Sequence, residues 1–224
     1  MVVYSHQIVG PFTLDPIRLL RAALDKAGDP YELQASPVPM VQDRSLREIA
    51  AGNRVDVFRS MISIEREQYL LPVRIPIDRG LFGWRVFHTT EKKSTSYRSS
   101  ANGRAGLFPR SILEVWKEIA LEKHNLRVDP RLSIYYPTAL YFFVSKSQPE
   151  LAKRIEHGLN QMIDSSEFEQ LFLEEYGADL AEAIASKRQV IYLENPFLSK
   201  ETPLERKELW IDPDALLPGK SLEP

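Results

Sequence analysis

Apolar residues recur along this chain in two rhythms: short runs of the strand kind and spaced positions of the helical kind. Val2 to Tyr4 is short and β-prone and reads as a first strand. After the Gly10-Pro11 break, Leu14, Ile17, Leu20 and Leu24 fall at helical spacing, and Gly28 stops that helix. Tyr31 to Ala35 alternates as a second strand, broken by Pro37 and Pro39. A second helix begins near Asp43 or Ser45. There Ser45 and Glu48 have the spacing of a capping box, Leu46 and Ile49 face inward, and Gly52 ends the element. Arg54 to Phe58 is the third strand. Residues 1–60 therefore read β-α-β-α-β, which predicts a parallel sheet with right-handed crossovers.

The stretch from Val55 to Phe87 is the one the rest is arranged around. An apolar start (Val55, Val57, Phe58) runs into a small polar corner, Ser60-Met61-Ile62-Ser63, then a charged turn, Glu65-Arg66-Glu67. A proline-punctuated extended segment, Leu70 to Ile77, and a glycine-marked strand, Gly80 to Phe87, follow. A buried strand ending in small polar residues delivers the chain to a ligand crevice. From His88 to Gly106 the apolar periodicity is lost, and the stretch reads as a loop. A helix with Ile112, Trp116 and Ile119 on one face comes next, with a Ser111-x-x-Glu114 capping box. Leu132 to Ser145 is β-prone with a break at Pro137. A helix opened by Ser147 to Glu150 carries Leu151, Ile155, Leu159, Met162 and Ile163 on one stripe. Phe168 to Tyr176 predicts a further helix ending at Gly177. Another covers Leu180 to Ala185, and Val190 to Leu193 is a late strand. The proline-rich tail has one apolar anchor, Leu209-Trp210-Ile211.

Composition narrows the function classes. The 224 residues are 43% hydrophobic and 27% charged, enough for one sizeable core or two small lobes. A net charge of -2 with no basic block gives no electrostatic case for nucleic acid. The absence of cysteine removes disulfides, thiol catalysis and cysteine-ligated zinc. No apolar run reaches the roughly 18 residues that cross a bilayer, so no direct membrane insertion is expected. Met1 to His6 lacks the regions of a signal peptide: either the protein is cytoplasmic, or a signal has been removed and Met1 added.

Candidate chemistry is sparse. His6, His88, His124 and His157 fall in different elements without metal-ligand spacing, and neither a nucleophile elbow nor a phosphate loop is present. No metal, cofactor or catalytic residue is expected. The sharper signals are Gln42-Asp43-Arg44 and Phe108-Pro109-Arg110, each placed at a helix start. There backbone N–H groups favour an anion, and an arginine holds a carboxylate bidentately. The plain alternative is that Arg44 and Arg110 are surface cations or pair with Asp43 and Glu114. Tyr4, Phe12, Trp84 and Tyr136 either line an apolar pocket or belong to the core.

Several segments together resemble the periplasmic solute-binding proteins of the type II, amino-acid (family 3) kind, in a divergent proteobacterial branch. They are Leu20-x-x-Ala23-Leu24 through Tyr31-Glu32-Leu33; Pro37-x-Pro39-Met40-x-Gln42-x-Arg44; and Val55-Asp56-Val57. Next come Glu65 through Ile77; Gly80-Leu81-x-Gly83-x-Arg85; and Phe108-Pro109-Arg110 with Trp116. Tyr136-Pro137-x-Ala139-x-Tyr141-Phe142-Phe143-Val144 and Glu194-Asn195-Pro196 complete the set. The resemblance implies an α/β fold of two lobes with parallel-type sheets joined by hinge strands. Lobe one holds residues 1–87 and 138–224, and lobe two holds 88–137. Relatives of that kind carry more chain after the hinge than residues 88–106 supply. Lobe two is therefore expected to be incomplete, either truncated or missing residues from this sequence.

On that resemblance the chain is expected to be a non-enzymatic, periplasmic binding protein that closes on a small polar solute, an amino acid or related organic acid. It presents the solute to a membrane transporter or sensor. Gln42, Arg44, Ser60, Met61 and Ser63 would form the lobe-one face of the site, with Arg110 and Tyr136 opposite. The alternatives are an orphan sensor or interaction domain on the same fold, and a small-acid dehydratase using Glu65 and Arg44.

Overall fold

The computed structural model describes residues 1–6, 16–90, 108–121 and 126–216. Its elements in chain order are β1 (Val2–Tyr4), α1 (Pro16–Lys26), β2 (Leu33–Ala35), α2 (Gln42–Ala50), β3 (Val57–Met61), α3 (Ile64–Glu67) and β4 (Leu70–Val73). A short 3-10 turn, Leu81–Gly83, leads into β5 (Trp84–Thr90) and β6 (Phe108–Ser111), then α4 (Val115–Leu121), β7 (Leu126–Tyr135) and β8 (Leu140–Ser145). Last come α5 (Pro149–Asp164), α6 (Glu167–Ala185), β9 (Gln189–Tyr192) and α7 (Pro213–Leu216). The expectations for Phe12, Leu14, His124 and most of the polar stretch after His88 fall outside the described residues.

Two sheets result. The first has the order β2-β1-β3-β8-β4, the second β6-β5-β7-β9. The predicted β-α-β-α-β start is present as a parallel half-sheet: β1 pairs in parallel with β2, Val2 opposite Leu33, and with β3, Tyr4 opposite Val57. The other half is antiparallel, because β8 lies between β3 and β4, with Val57 opposite Val144 and Val73 opposite Phe142. The sheet is therefore mixed rather than wholly parallel. Residues 74–83 and 136–139 carry the chain between the sheets, and β9 joins the second sheet from beyond α6, parallel to β7.

Several boundaries differ from the sequence expectation, each for a packing reason. Strand β3 runs Val57–Met61 rather than Arg54 to Phe58. The ladder with β8 extends it through the small polar corner, and the Asp56 carboxylate and N–H tie the preceding residue to Val3. Helix α2 starts at Gln42, with Val41 as N-cap and no side-chain cap bond. Ser45 is not its cap: it lies one turn inside, buried, with its hydroxyl on the Ser5 hydroxyl and the Val41 carbonyl. Phe108-Pro109-Arg110 is not a helix start but an edge strand, with Arg110 opposite Val86, so Ser111 ends β6 instead of capping a helix. The two late helices are one. α6 runs through Gly177, because Phe172, Tyr176, Leu180 and Ala183 bury on the same side across it.

The larger core lies between the first sheet and α1, α5 and α6, and continues through Leu81, Trp84 and Val86 to Ile112, Leu113 and Val115 of the second. A smaller core covers the other face of the first sheet, with Met40, Leu46, Ile49, Phe58, Tyr141 and Phe143. The tail anchor predicted at Leu209 to Ile211 is present: Leu209 and Ile211 are buried, and the Ile211 N–H donates to the Arg79 carbonyl at 3.0 Å.

Candidate functional site

Parallel strands end together, so β1, β2 and β3 deliver three loops to one edge of the first sheet, the place where α/β proteins hold ligands. Side-chain hydroxyls lock that edge. Ser5 Oγ lies 2.6 Å from Ser45 Oγ, the His6 N–H donates to Ser36 Oγ at 2.9 Å, and the Met40 N–H donates to the His6 carbonyl at 2.8 Å. These bonds fix the entry to α2, whose first turn exposes Gln42, Asp43 and Arg44. Arg44 is held at 3.9 Å from Glu48 one turn on, so part of its charge is already answered within the helix.

At the end of β3, Ser63 caps α3, accepting the Arg66 N–H at 3.5 Å. The Arg66 guanidinium turns back and donates to the Met61 carbonyl at 2.8 Å. Between the two helices lies an open hollow of about 320 Å³. Asp43, Leu46 and Arg47 line it from α2, and Ser63, Glu65, Arg66 and Tyr69 from the other side. Two arginines, two carboxylates, a hydroxyl and a phenol beside one leucine make a mainly polar hollow that can take both ends of a small zwitterion or one carboxylate with a polar tail.

The structure separates the remaining expected residues. Ser60 is 1% exposed and stands opposite Tyr141 on the face that carries Phe58, inside the smaller core. The strand pleat therefore turns Ser60 away from the open edge, while Met61 is half-buried on the other face. Arg59, two residues before, faces Tyr176 of α6 and Glu114 beside the second sheet. Burial lowers its pKa against the pull of those two groups. Arg110 is already occupied: its Nε donates to Glu118 at 2.7 Å, its Nη2 also meets Glu118, and Glu114 lies 3.7 Å away. Tyr136 sits on the passage between the sheets, its N–H on the Gly83 carbonyl at 3.2 Å and its ring 5.9 Å from the Arg85 guanidinium. Trp84 is core: its indole N–H donates to Ser133 Oγ at 3.1 Å, both residues being buried.

Of the expected residues Ser63 lines the hollow, Gln42 and Arg44 are exposed on the first turn of α2 outside its lining, and Ser60 and Arg110 are held elsewhere. Sequence reasoning passed over Arg47, Arg66 and Tyr69. The signal for Arg66 was in the chain, since a serine three residues before it is the spacing of an N-cap bond. Among the described residues no group of three or more His, Cys, Asp or Glu side chains is placed to hold a metal ion. No described helix is long and apolar enough to cross a membrane.

No protein-family model matches the chain, and no curated protein matches it. Solved structures do. The probable amino-acid ABC transporter extracellular-binding protein of Bacillus subtilis is 16% identical with a TM-score of 0.60, over 80% of this chain and 98% of that one. A periplasmic His/Glu/Gln/Arg/opine family-binding protein from Silicibacter pomeroyi, solved with lysine, is 12% identical with a TM-score of 0.57, over 79% and 97%. A histidine kinase sensor domain with similarity to periplasmic binding proteins is 13% identical with a TM-score of 0.55, over 79% and 96%. The chain has the fold of these periplasmic binding proteins, and nearly the whole length of each neighbour is spanned.

Proposed function

We propose that the chain is an extracytoplasmic, non-enzymatic binding protein for a small polar solute, an amino acid or a related organic acid, which it presents to a membrane transporter. The single observation that supports this most is the open edge of the parallel strands, where Ser63, Arg66 and Arg47 converge beside the first turn of α2. Amino-acid-binding proteins share the fold. In this reading the two sheets are the two lobes, hinged through residues 74–83 and 136–139. The lobe-one face is Gln42, Arg44, Met61 and Ser63 with Arg47 and Arg66, and Tyr136, with Arg85 on its ring, comes from the hinge side. Arg66 is the group for a carboxylate, because a guanidinium pairs with it bidentately.

A thermal-shift screen over amino acids and small organic acids tests the reading. A solute at 100 times its dissociation constant adds roughly 2.7 kcal/mol. The expected result is a shift with at least one such solute that Arg66→Ala abolishes, and a screen without any shift overturns the reading.

A second reading keeps the fold and replaces transport by sensing, with a protein partner. It is favoured by the sensor-domain neighbour, and by a core that runs without interruption from the first sheet into the second. A flat solute screen together with a stable protein complex selects it. The dehydratase reading has little support: Glu65 lines the hollow, but it is exposed there and the hollow is open to solvent, so the carboxylate has no enclosed site to work in.

A further inference from the structure

The chain beyond β9 ties itself to both passages between the sheets. It leaves the second sheet at Tyr192, opposite Tyr135 of β7, and the Leu193 N–H donates to the Tyr135 carbonyl at 2.8 Å. Asn195 then reaches the returning passage, residues 136–139. Its side-chain amide donates to the Pro137 carbonyl at 2.8 Å, and its side-chain oxygen accepts the Phe197 N–H at 3.0 Å. Next the chain lies on the first sheet. Leu198 packs against the smaller core, Thr202 and Pro203 are buried, and Glu201 meets Arg74 just past β4. Arg206 donates to Asn160 of α5 at 2.9 Å.

From there it crosses the outgoing passage, residues 74–83. The Arg79 guanidinium donates to the Glu208 carbonyl at 3.1 Å, and the Ile211 N–H donates to the Arg79 carbonyl at 3.0 Å. The Trp210 ring lies against Gly80, where an added Cβ would stand 2.6 Å from it. The Trp210 indole N–H donates to the Pro203 carbonyl at 2.8 Å, which draws the part on the first sheet toward the part on the passage. Leu209 and Ile211 are buried beside it. The Tyr192 hydroxyl donates to Asp212 at 3.1 Å, so the segment ends beside the strand it left.

We propose that residues 193–211 are a strap that braces the hinge and sets the resting angle between the two sheets. A rotation carried by the two passages alone needs only a few backbone dihedrals to change. Here it must also move Pro137 and Arg79 against a segment anchored on the first sheet and on α5. The contacts at Asn195, Trp210 and Ile211 then have to give way with it. The strap keeps the solute-free protein in one arrangement, and its release is the step that permits rotation. This rests on the two sheets being lobes and on no solute, so it is tested on the protein without solute, whatever the solute screen returns.

Because the chain has no cysteine, a pair of spin labels can be attached at two chosen positions only. Lys153→Cys on α5 and Arg131→Cys on β7 place one label on each side of the hinge, both at exposed positions. Pulsed electron–electron distance measurement on this protein is expected to give one narrow distance. Adding Asn195→Ala and Trp210→Ala is expected to broaden it and to bring in a second distance, with the helical circular dichroism retained. Several distances in the strapped protein overturn the proposal, as does an unchanged distance in the released variant. If that variant does not fold, amide hydrogen exchange of the wild type decides. Leu193 and Ile211 amides protected at least as well as that of Tyr136 support the strap, and amides there that exchange far faster than that of Tyr136 overturn it.

Discussion

Gly158 of α5 lies so close to Ala23 of α1 that a Cβ added to it would stand 1.8 Å from the Ala23 carbonyl oxygen. The two helices carry the larger core between them, with Leu20, Leu24, Ile155 and Leu159 all buried. Backbone can approach backbone here only because one partner has no side chain. Gly158→Ala must push the helices apart, and we expect a loss of about 2–4 kcal/mol in urea unfolding, despite the better helix propensity of alanine. A stability equal to or above wild type would show that the helices slide apart freely.

The Trp84 indole depends on one hydroxyl, Ser133 Oγ, at the meeting of β5 and β7. Ser133→Ala leaves a buried N–H without its acceptor, which costs about 1–3 kcal/mol. The double variant Ser133→Ala with Trp84→Phe should recover part of that loss, because the orphaned donor goes too. Chemical denaturation of the three proteins measures the cycle.

Glu118 is the buried member of the pair with Arg110, its side chain 8% exposed against 26%. Glu118→Gln keeps the shape and removes the charge, leaving Arg110 with Glu114 alone. We expect a loss of about 1–3 kcal/mol, well above that of an exposed pair. By the same pairing, Arg110→Ala should leave solute affinity unchanged, and isothermal titration with any solute found in the screen checks this.

Acid strengthens one part of this fold. Asp78 has a folded value of about 6 against an ordinary 3.8, so the folded chain binds its proton more tightly than the unfolded chain does. The stability it adds is complete below the ordinary value and is lost as the pH rises through about 6. Relative to Asp78→Asn, the wild type should therefore lose roughly 1.4 kcal/mol between about pH 5 and about pH 8. Asp129 acts in the opposite sense: the Arg131 side chain and the N–H groups of Arg131 and Leu132 hold it below its ordinary value despite some burial. Its contribution is lost only as the pH falls through that lowered value, so a pair of urea titrations in the mildly acid range isolates Asp78.

Periodicity carried much of the fold. The spacing of Leu20 and Leu24, and of Ile155, Leu159 and Met162, marked α1 and α5, and all five side chains are buried. The parallel start was readable because each strand is followed by its own crossover. What failed needed a partner distant in sequence. The end of β3 is set by β8, and Phe108-Pro109-Arg110 is a strand only because β5 lies beside it. A serine followed three residues later by a glutamate was no guide to capping, since Ser45 is spent on Ser5 and Ser111 on the Leu81 carbonyl and the Leu113 N–H. The positions of Gln42 and Arg44 at the start of α2 and of Ser63 after β3 were legible, and of these Ser63 lines the hollow. Ser60 was misplaced by one step of the pleat, and Arg66 was hidden in an ordinary charged turn.

The order of strands in the first sheet has a consequence for how the protein is made. On the ribosome β3 emerges early, with β1 available on one side, but its other neighbour is β8. Until Leu140 to Ser145 are synthesised, that side of Val57 to Met61 has no hydrogen-bonding neighbour, and β4 has no neighbour at all. A nascent chain stopped anywhere short of β8 presents an open, largely apolar strand edge to whatever lies nearby. Truncation after the second sheet begins should therefore yield aggregates rather than a free-standing first half.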